Sequence, residues 1–78
     1  MFTRVLMYDL KYAKTEDYQD LYNYLYSEKA TKLTESSYLI ETELKWDDFK
    51  KKILLVTKTG DNVKAVVYCD GIEIRTIR

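Results

Sequence analysis

The chain has no histidine and no proline, two glycines and a single cysteine, Cys69, among its 78 residues. One cysteine cannot form a disulfide within the chain, and the Cys/His spacings typical of zinc sites are absent. Without histidine, Ser-His and Cys-His nucleophile systems are excluded within one chain, as is the usual general base near neutral pH. Any catalysis would therefore depend on carboxylates, lysine, tyrosine or a metal that carboxylates hold.

Neither sign of charge is in excess, and apolar runs are short. The 13 basic and 13 acidic residues give a formal net charge of zero, whereas nucleic-acid-binding proteins usually have a basic excess. No apolar stretch approaches ~20 residues, so we expect no membrane span, and the N-terminus has no signal-peptide pattern. Together with the single thiol, these features predict a cytoplasmic protein.

The length predicts one domain over residues 1–78, and the lack of proline leaves no break that would divide it. A chain this short buries only about 60–65% of the surface that its unfolded form exposes. Small scaffolds are often stabilised by disulfides, a metal or a partner chain. Since a disulfide is excluded, we expect a homodimer, and two-fold dimers are the commonest oligomers.

Alternating and helical periodicities predict seven elements along the chain. They are a strand at 3–9, a helix at about 16–29 with Thr15 as its N-cap, strands at 32–34 and 37–44, a helix at 46–57, and strands at 63–69 and 72–77. Asp70-Gly71 predicts a two-residue type I′ hairpin between the last two strands. This order predicts an α+β, ferredoxin-like β-α-β-β-α-β fold with an extra C-terminal strand, in which two helices cover one face of an antiparallel sheet.

The same periodicities assign side chains to faces. In the first strand, alternation separates two sets, Thr3, Val5 and Met7 from Arg4, Leu6 and Tyr8. The apolar stripe predicted for the first helix is Tyr18, Leu21, Tyr22, Leu25 and Tyr26, and that for the second is Trp46, Phe49, Ile53 and Val56. Tyr12 and Tyr24 fit neither stripe, which predicts that they are available to a partner.

Three stretches of the chain resemble one family. They are residues 5–10 (VLMYDL), 17–22 (DYQDLY) and 35–44 (ESSYLIETEL), and Asp61-Asn62-Val63 fits as well. The chain resembles small ferredoxin-like proteins that include the CRISPR-associated ribonuclease-like subunit, VapD-type ribonucleases and SinR-like proteins of mobile elements. The third stretch is most similar to the SinR-like branch.

The resemblance implies two different roles. In nuclease members of this family the aspartate that ends the first strand lies near the dimer axis, where two copies hold a divalent metal, and Asp9 is the matching position. Mg²⁺ would suit such a site because it prefers oxygen ligands and often uses one or two carboxylates with water. Other members are structural dimers or adaptors without catalysis, and for them no cofactor is expected.

Asp9 is therefore the candidate catalytic and metal-binding residue. The alternative interpretation is a strand-end aspartate that hydrogen-bonds the following turn. Candidate nucleic-acid contacts are the basic residues Arg4, Lys50, Lys51, Lys52, Arg75 and Arg78. The lysine run is equally typical of a solvated helix face near the negative end of the helix dipole.

A further group of residues is predicted to contact a protein partner. It consists of Tyr12, Tyr24, Glu41, Glu43, Asp47 and Asp48, because exposed tyrosines anchor interfaces and the carboxylates form a local acidic patch. The leading functional hypothesis is a small homodimeric, non-enzymatic protein, encoded by a phage or mobile element, that docks on a protein partner in defence or counter-defence. The alternative is a metal-dependent ribonuclease or nucleic-acid-binding dimer that uses paired Asp9 carboxylates.

Overall fold

Five strands and two α-helices appear in the computed structural model, which describes residues 1–12, 14–68 and 70–78. The elements are β1 (Phe2–Asp9), a 3₁₀ turn (Thr15–Tyr18), α1 (Gln19–Ser27), β2 (Thr31–Thr34), β3 (Ser37–Thr42), α2 (Trp46–Val56), β4 (Asn62–Tyr68) and β5 (Ile72–Thr76). None of the helices in the described ranges has the length and apolar character needed to cross a membrane.

The strands form one antiparallel sheet in the order β2-β3-β1-β4-β5. Strand β3 lies between β1 and β2, which gives the split β-α-β arrangement. The added strand β5 lies beside β4, so the order differs from that of a four-stranded sheet. The predicted α+β fold, ferredoxin-like with an extra C-terminal strand, is confirmed.

The two faces of the sheet have different surroundings. Leu6 and Tyr8 of β1 are buried, and the cross-strand register pairs Leu6 with Tyr38 of β3 and Ala65 of β4, and Tyr8 with Val63 of β4. Leu21 and Leu25 of α1 and Phe49 and Ile53 of α2 complete the same core cluster. Both helices therefore cover one face, as predicted, and the opposite face, which we call the open sheet face, carries no helix.

The apolar stripe of α1 differs from the predicted one. Tyr24 is buried, with 8% of its surface exposed, whereas Tyr26 is 88% exposed. Tyr18 belongs to the 3₁₀ turn, in which successive residues advance by 120° rather than 100°. Tyr18, Leu21 and Leu25 are buried as predicted, and within α1 Leu21, Tyr24 and Leu25 form the i, i+3, i+4 stripe.

Two predictions about element ends are also corrected. Thr15 is not an N-cap, because it is the first residue of the 3₁₀ turn and no side chain caps that turn. Asp70 and Gly71 have positive φ (44° and 126°), as the predicted turn requires. However, Tyr68 pairs with Ile72, so three positions rather than two separate the paired residues. Cys69 lies outside the described residues.

Candidate functional site

Asp9 lies at the end of β1, opposite Asn62 of β4, and its side chain is exposed. Two clefts border it. One, of about 220 Å³, extends toward Tyr12 and Tyr22, and the other, of about 380 Å³, extends toward Ser37 and Lys64. Asp9 is therefore accessible from both sides of the sheet end, as a ligand-binding carboxylate must be.

Tyr8 lines both clefts beside Asp9, and Tyr22 lines the smaller one. The rings of Tyr8 and Tyr38 stack with centroids 6.3 Å apart and planes inclined by 18°. Burial, and then the neighbouring Tyr22 and Tyr38, raise the pKa of Tyr8 well above its usual value. Its hydroxyl points toward the carbonyl oxygen of Glu35, at 3.5 Å. Tyr8 therefore stays protonated near neutral pH and can donate a hydrogen bond but cannot act as a base.

Asp61, which sequence reasoning did not single out as a site, is a buried carboxylate with 3% of its surface exposed. It accepts hydrogen bonds from the Tyr18 hydroxyl (2.6 Å) and from the backbone N–H groups of Lys11 (2.8 Å) and Lys58 (2.7 Å). Burial alone would raise the pKa of Asp61, but these three bonds and the nearby Arg78 outweigh it and hold the pKa below its usual value. Asp61 thus ties together the segments that follow β1 and α2.

Asp9 does not belong to a metal-binding group of side chains among the described residues. Across residues 1–12, 14–68 and 70–78, no three His, Cys, Asp or Glu side chains group closely enough to hold a metal ion. Asp61 precedes Asn62, the residue that pairs with Asp9, but its carboxylate oxygens already accept the three hydrogen bonds described above. A second carboxylate for a metal at Asp9 would come from a second copy, as the resemblance to nucleases implies.

The three arginines that were predicted to contact nucleic acid all make contacts on the helix-facing side. Arg4 faces the helices and is 4% exposed, and its Nη1 donates to the carbonyl oxygen of Leu44 at 2.7 Å. Arg78 donates to the carbonyl oxygen of Leu54 (2.8 Å) and to the hydroxyl of Thr57 (3.1 Å). Arg75 pairs with Glu73 at 3.2 Å and stacks on Trp46. These contacts hold Arg4 and Arg78 on the helix-facing side, and their contact with nucleic acid stays a prediction.

The lysine run lies on α2 with different degrees of exposure. Lys51 and Lys52 are exposed and Lys50 is half-buried. The Lys52 ammonium lies 5.4 Å from the centre of the Tyr24 ring. Successive positions of a helix point about 100° apart, so the three lysines do not form one strip. Their contact with phosphates stays a prediction.

The two tyrosines that were predicted to contact a partner differ in solvent exposure. Tyr12 is 43% exposed and borders the smaller cleft beside Asp9. Tyr24 is buried against the core, and its hydroxyl donates to Glu28 at 3.2 Å. Burial, followed by the adjacent Glu28 carboxylate, raises the pKa of Tyr24 to about 12. A partner can therefore reach Tyr12 but not Tyr24, and the prediction for Tyr24 is wrong.

The predicted acidic patch is divided between two sides of the sheet. Glu41 pairs with Thr3 on the open sheet face. Asp47 and Asp48 are exposed in the first turn of α2, on the helix side, and Glu43 lies 4.0 Å from the N-terminal amino group. The structure thus separates Glu41 from Asp47 and Asp48, so the predicted carboxylates do not form a single docking patch.

The open sheet face carries an apolar row that sequence reasoning did not select. Leu39 pairs with Val5, Val5 with Val66, and Val66 with Ile74, so the row crosses four strands without a polar interruption. Ile74 is 64% exposed. The available signal was that β1 and β4 carry apolar residues on both of their alternating faces, as strands covered on both sides do.

Comparisons of the chain with protein families, with curated proteins and with solved structures found no match. The resemblance to SinR-like proteins therefore stays a prediction. Two features of the chain remain as candidates for function, namely the carboxylate of Asp9 between its two clefts and the apolar row on the open sheet face.

Proposed function

We propose that this chain is a small homodimeric, non-enzymatic interaction protein whose two copies meet through the open sheet face. The observation that carries the proposal is the unbroken row Leu39, Val5, Val66 and Ile74 on a face that no helix covers. Apolar side chains aligned across neighbouring strands are usual where a sheet packs against another layer. A second copy supplies that layer.

The size of the face supports a second copy as the occupant. Five strands about 4.8 Å apart, each about six residues long at about 3.3 Å per residue, give a face of roughly 500 Å². Two such faces would bury about 1,000 Å² in total, which is the size at which specific interfaces begin. The proposed dimer is therefore of modest affinity.

Charge complementarity also supports a second copy. Glu41 lies beside Thr3 and Lys64 lies beside Met7, so the two charges are on opposite sides of Val5 and toward opposite ends of β1. Neither belongs to an ion pair within the described parts of the chain. Two strand spacings and four residues separate them by about 16 Å, too far to pair within one copy.

A two-fold axis through Val5 brings these charges together. Val5 is midway between Glu41 and Lys64. A two-fold axis that runs between the two sheets over Val5, perpendicular to the line from Glu41 to Lys64, therefore places Glu41 of one copy over Lys64 of the other. Glu41 of each copy then opposes Lys64 of the other, which forms two equivalent pairs. The strands of the two sheets cross at a steep angle in this arrangement, near the orthogonal class of sheet packing.

Dimerisation through the sheet leaves the helices for a different protein. Tyr26 of α1 and Leu55 of α2 are 88% and 79% exposed, and exposed tyrosine is a frequent anchor of interfaces. We propose this helical side as the docking surface for the partner. A role in mobile-element defence or counter-defence rests on the resemblance to SinR-like proteins and belongs to the same proposal.

Sedimentation velocity of two matched variants tests the proposal. Ile74→Lys adds a charge to the open sheet face, whereas Leu55→Lys adds the same charge at a similarly exposed position on α2. We expect wild type and Leu55→Lys to form dimers with similar affinity and Ile74→Lys to sediment as a monomer. A monomeric wild type at 100 μM, or equal dimerisation of both variants, would overturn the proposal.

The alternative is a metal-dependent ribonuclease that uses paired Asp9 carboxylates, and the two clefts beside Asp9 favour it. It requires a different dimer, because the axis described above separates the two Asp9 positions by roughly 20 Å. Under this alternative, Asp9→Asn abolishes RNA cleavage in Mg²⁺ and leaves folding and dimerisation unchanged. Cleavage that is equal in wild type and Asp9→Asn would exclude it.

A further inference from the structure

Arg4 is a buried cation without a buried counter-charge. It has 4% of its surface exposed, and none of the ion pairs among the described residues includes it. Its Nη1 donates a hydrogen bond to the carbonyl oxygen of Leu44, and the guanidinium has further N–H donors for which the described residues supply no other bond. A buried charge is costly unless it is paired, so an anion at this guanidinium would be strongly favoured.

Aromatic rings surround the Arg4 guanidinium. Its central carbon lies 4.7 Å from the ring centre of Phe49, 5.0 Å from that of Phe2 and 5.7 Å from that of Trp46. Contact with ring faces stabilises a cation, but the rings carry no net charge and cannot neutralise it. The rings therefore fix the position of the guanidinium and leave its charge uncompensated.

A second guanidinium contacts the same indole ring. The central carbon of Arg75 lies 5.0 Å from the ring centre of Trp46, and its Nε lies 3.2 Å from Glu73, a half-exposed carboxylate on the same strand. Burial lowers the pKa of Arg4, Tyr24 offsets part of this effect, and the positive charge of Arg75 lowers the pKa further. The two cations are thus close enough to repel each other.

A cleft of about 240 Å³ opens between them. Its lining includes Arg4, Arg75, Trp46, Phe2, Tyr68 and Thr3, and no carboxylate of the described residues contributes to it. This volume is smaller than the usual pocket for a drug-sized ligand. It suits a single oxyanion, or the charged end of a larger molecule.

We propose that the cleft between Arg4 and Arg75 binds an oxyanion of the phosphate or carboxylate class beside Trp46. Guanidinium groups bind both anions through paired N–H donors. An anion in this cleft would pair with the buried charge and relieve the repulsion between the two arginines. Neither Asp9 nor any residue of the apolar row Leu39, Val5, Val66 and Ile74 lines this cleft, although Thr3 reaches it from the open sheet face.

Trp46 is the only tryptophan of the chain, and its fluorescence reports on this cleft directly. The full-length chain is titrated with inorganic phosphate and, separately, with acetate, at constant ionic strength maintained with sodium chloride. We expect saturable changes in Trp46 emission with a Kd of about 1 mM for the preferred anion, which corresponds to a weak specific site. Which of the two saturates distinguishes a phosphate ligand from a carboxylate ligand.

Three variants sharpen the test. Arg75→Gln should weaken anion binding about tenfold or more while Trp46 remains as the reporter, and Lys32→Gln, which removes an exposed cation elsewhere, should leave it unchanged. Glu73→Gln removes the carboxylate beside Arg75 and should leave binding equal or tighter, which separates loss of the cation from loss of its salt bridge. Emission that does not saturate with either anion, or that responds equally in Arg75→Gln, would overturn the proposal.

Discussion

At the scale of single residues, the buried carboxylate of Asp61 connects three separate segments of the chain by hydrogen bonds. Its Oδ1 accepts two hydrogen bonds and its Oδ2 accepts a third. Asparagine would present an amide N–H₂ to at least one of these donors. We expect Asp61→Asn to lower the free energy of unfolding by about 2–3 kcal/mol, since bonds to a buried charged acceptor are strong. Urea unfolding at pH 7 measures this, with the exposed Asp9→Asn as a control that should change it little.

The pH dependence of the same pair of proteins follows from the depressed pKa of Asp61. The unfolded pKa of an aspartate is about 3.9. A carboxyl whose pKa is lower than this in the folded state stabilises the fold at pH values above about 3.9. This stabilisation is lost as the pH falls through the folded pKa. The difference in unfolding free energy between wild type and Asp61→Asn should therefore be constant from pH 7 to 5 and narrow toward pH 3. A difference that widened on acidification would contradict the assignment.

Residue-level predictions from the sequence were reliable where periodicity determined them. The alternation of β1 correctly separated Val5 and Met7 from Leu6 and Tyr8. The environments of Arg4 and Asp61 depend on contacts with residues 40 and 43 positions away, respectively. No local pattern of the sequence encodes contacts of that range, so Arg4 was predicted to be a nucleic-acid contact.

At the scale of elements, the face that α1 turns toward the core decides which of its tyrosines are buried. Tyr24 is in the core and Tyr26 is exposed. We expect Tyr24→Ala to lower the unfolding free energy by about 3 kcal/mol, as loss of a large buried ring does. Tyr26→Ala on the same helix should change it by less than about 0.5 kcal/mol. Thermal or urea unfolding of the two variants side by side checks this, and equal losses would contradict the observed helix phase.

Element types and order were predictable because their signals are long, while element ends were not. The helical stripe of α2 and the β composition of β4 identify those elements across several turns or residue pairs. The predicted helix began at about residue 16, whereas α1 begins at Gln19 after a 3₁₀ turn. The predicted stripe correctly included Leu21 and Leu25, but Tyr24 rather than Tyr26 completes it.

At the scale of the whole molecule, the one-sided cover of the sheet is the feature that calls for a partner. Two helices bury one face, and the apolar row Leu39, Val5, Val66 and Ile74 remains on the other. The chain length led to the expectation of a homodimer but not of its surface, because strand order and register are needed to align those four residues. The same strand register places Glu41 and Lys64 on opposite sides of Val5.

Capture experiments distinguish the kind of partner on the helical side. Wild type and the double variant Tyr26→Ala/Leu55→Ala are compared in host lysate with and without nuclease treatment. We expect a protein captured by wild type in both conditions and lost with the double variant, whose dimer should be intact. Recovery that disappears on nuclease treatment would indicate nucleic acid instead and would contradict a protein-docking role.

The central claim is a two-fold dimer in which Glu41 of each copy opposes Lys64 of the other, and a mixing experiment tests it most directly. Glu41→Lys alone and Lys64→Glu alone each create two like-charge contacts per homodimer, so each should dimerise about tenfold more weakly than wild type. Mixed together, the two variants form a heterodimer in which both contacts are attractive again. Sedimentation velocity or native mass spectrometry should show restored dimer as the heterodimer alone, whereas a mixture as weak as its components, or variants that dimerise like wild type, would contradict the claim.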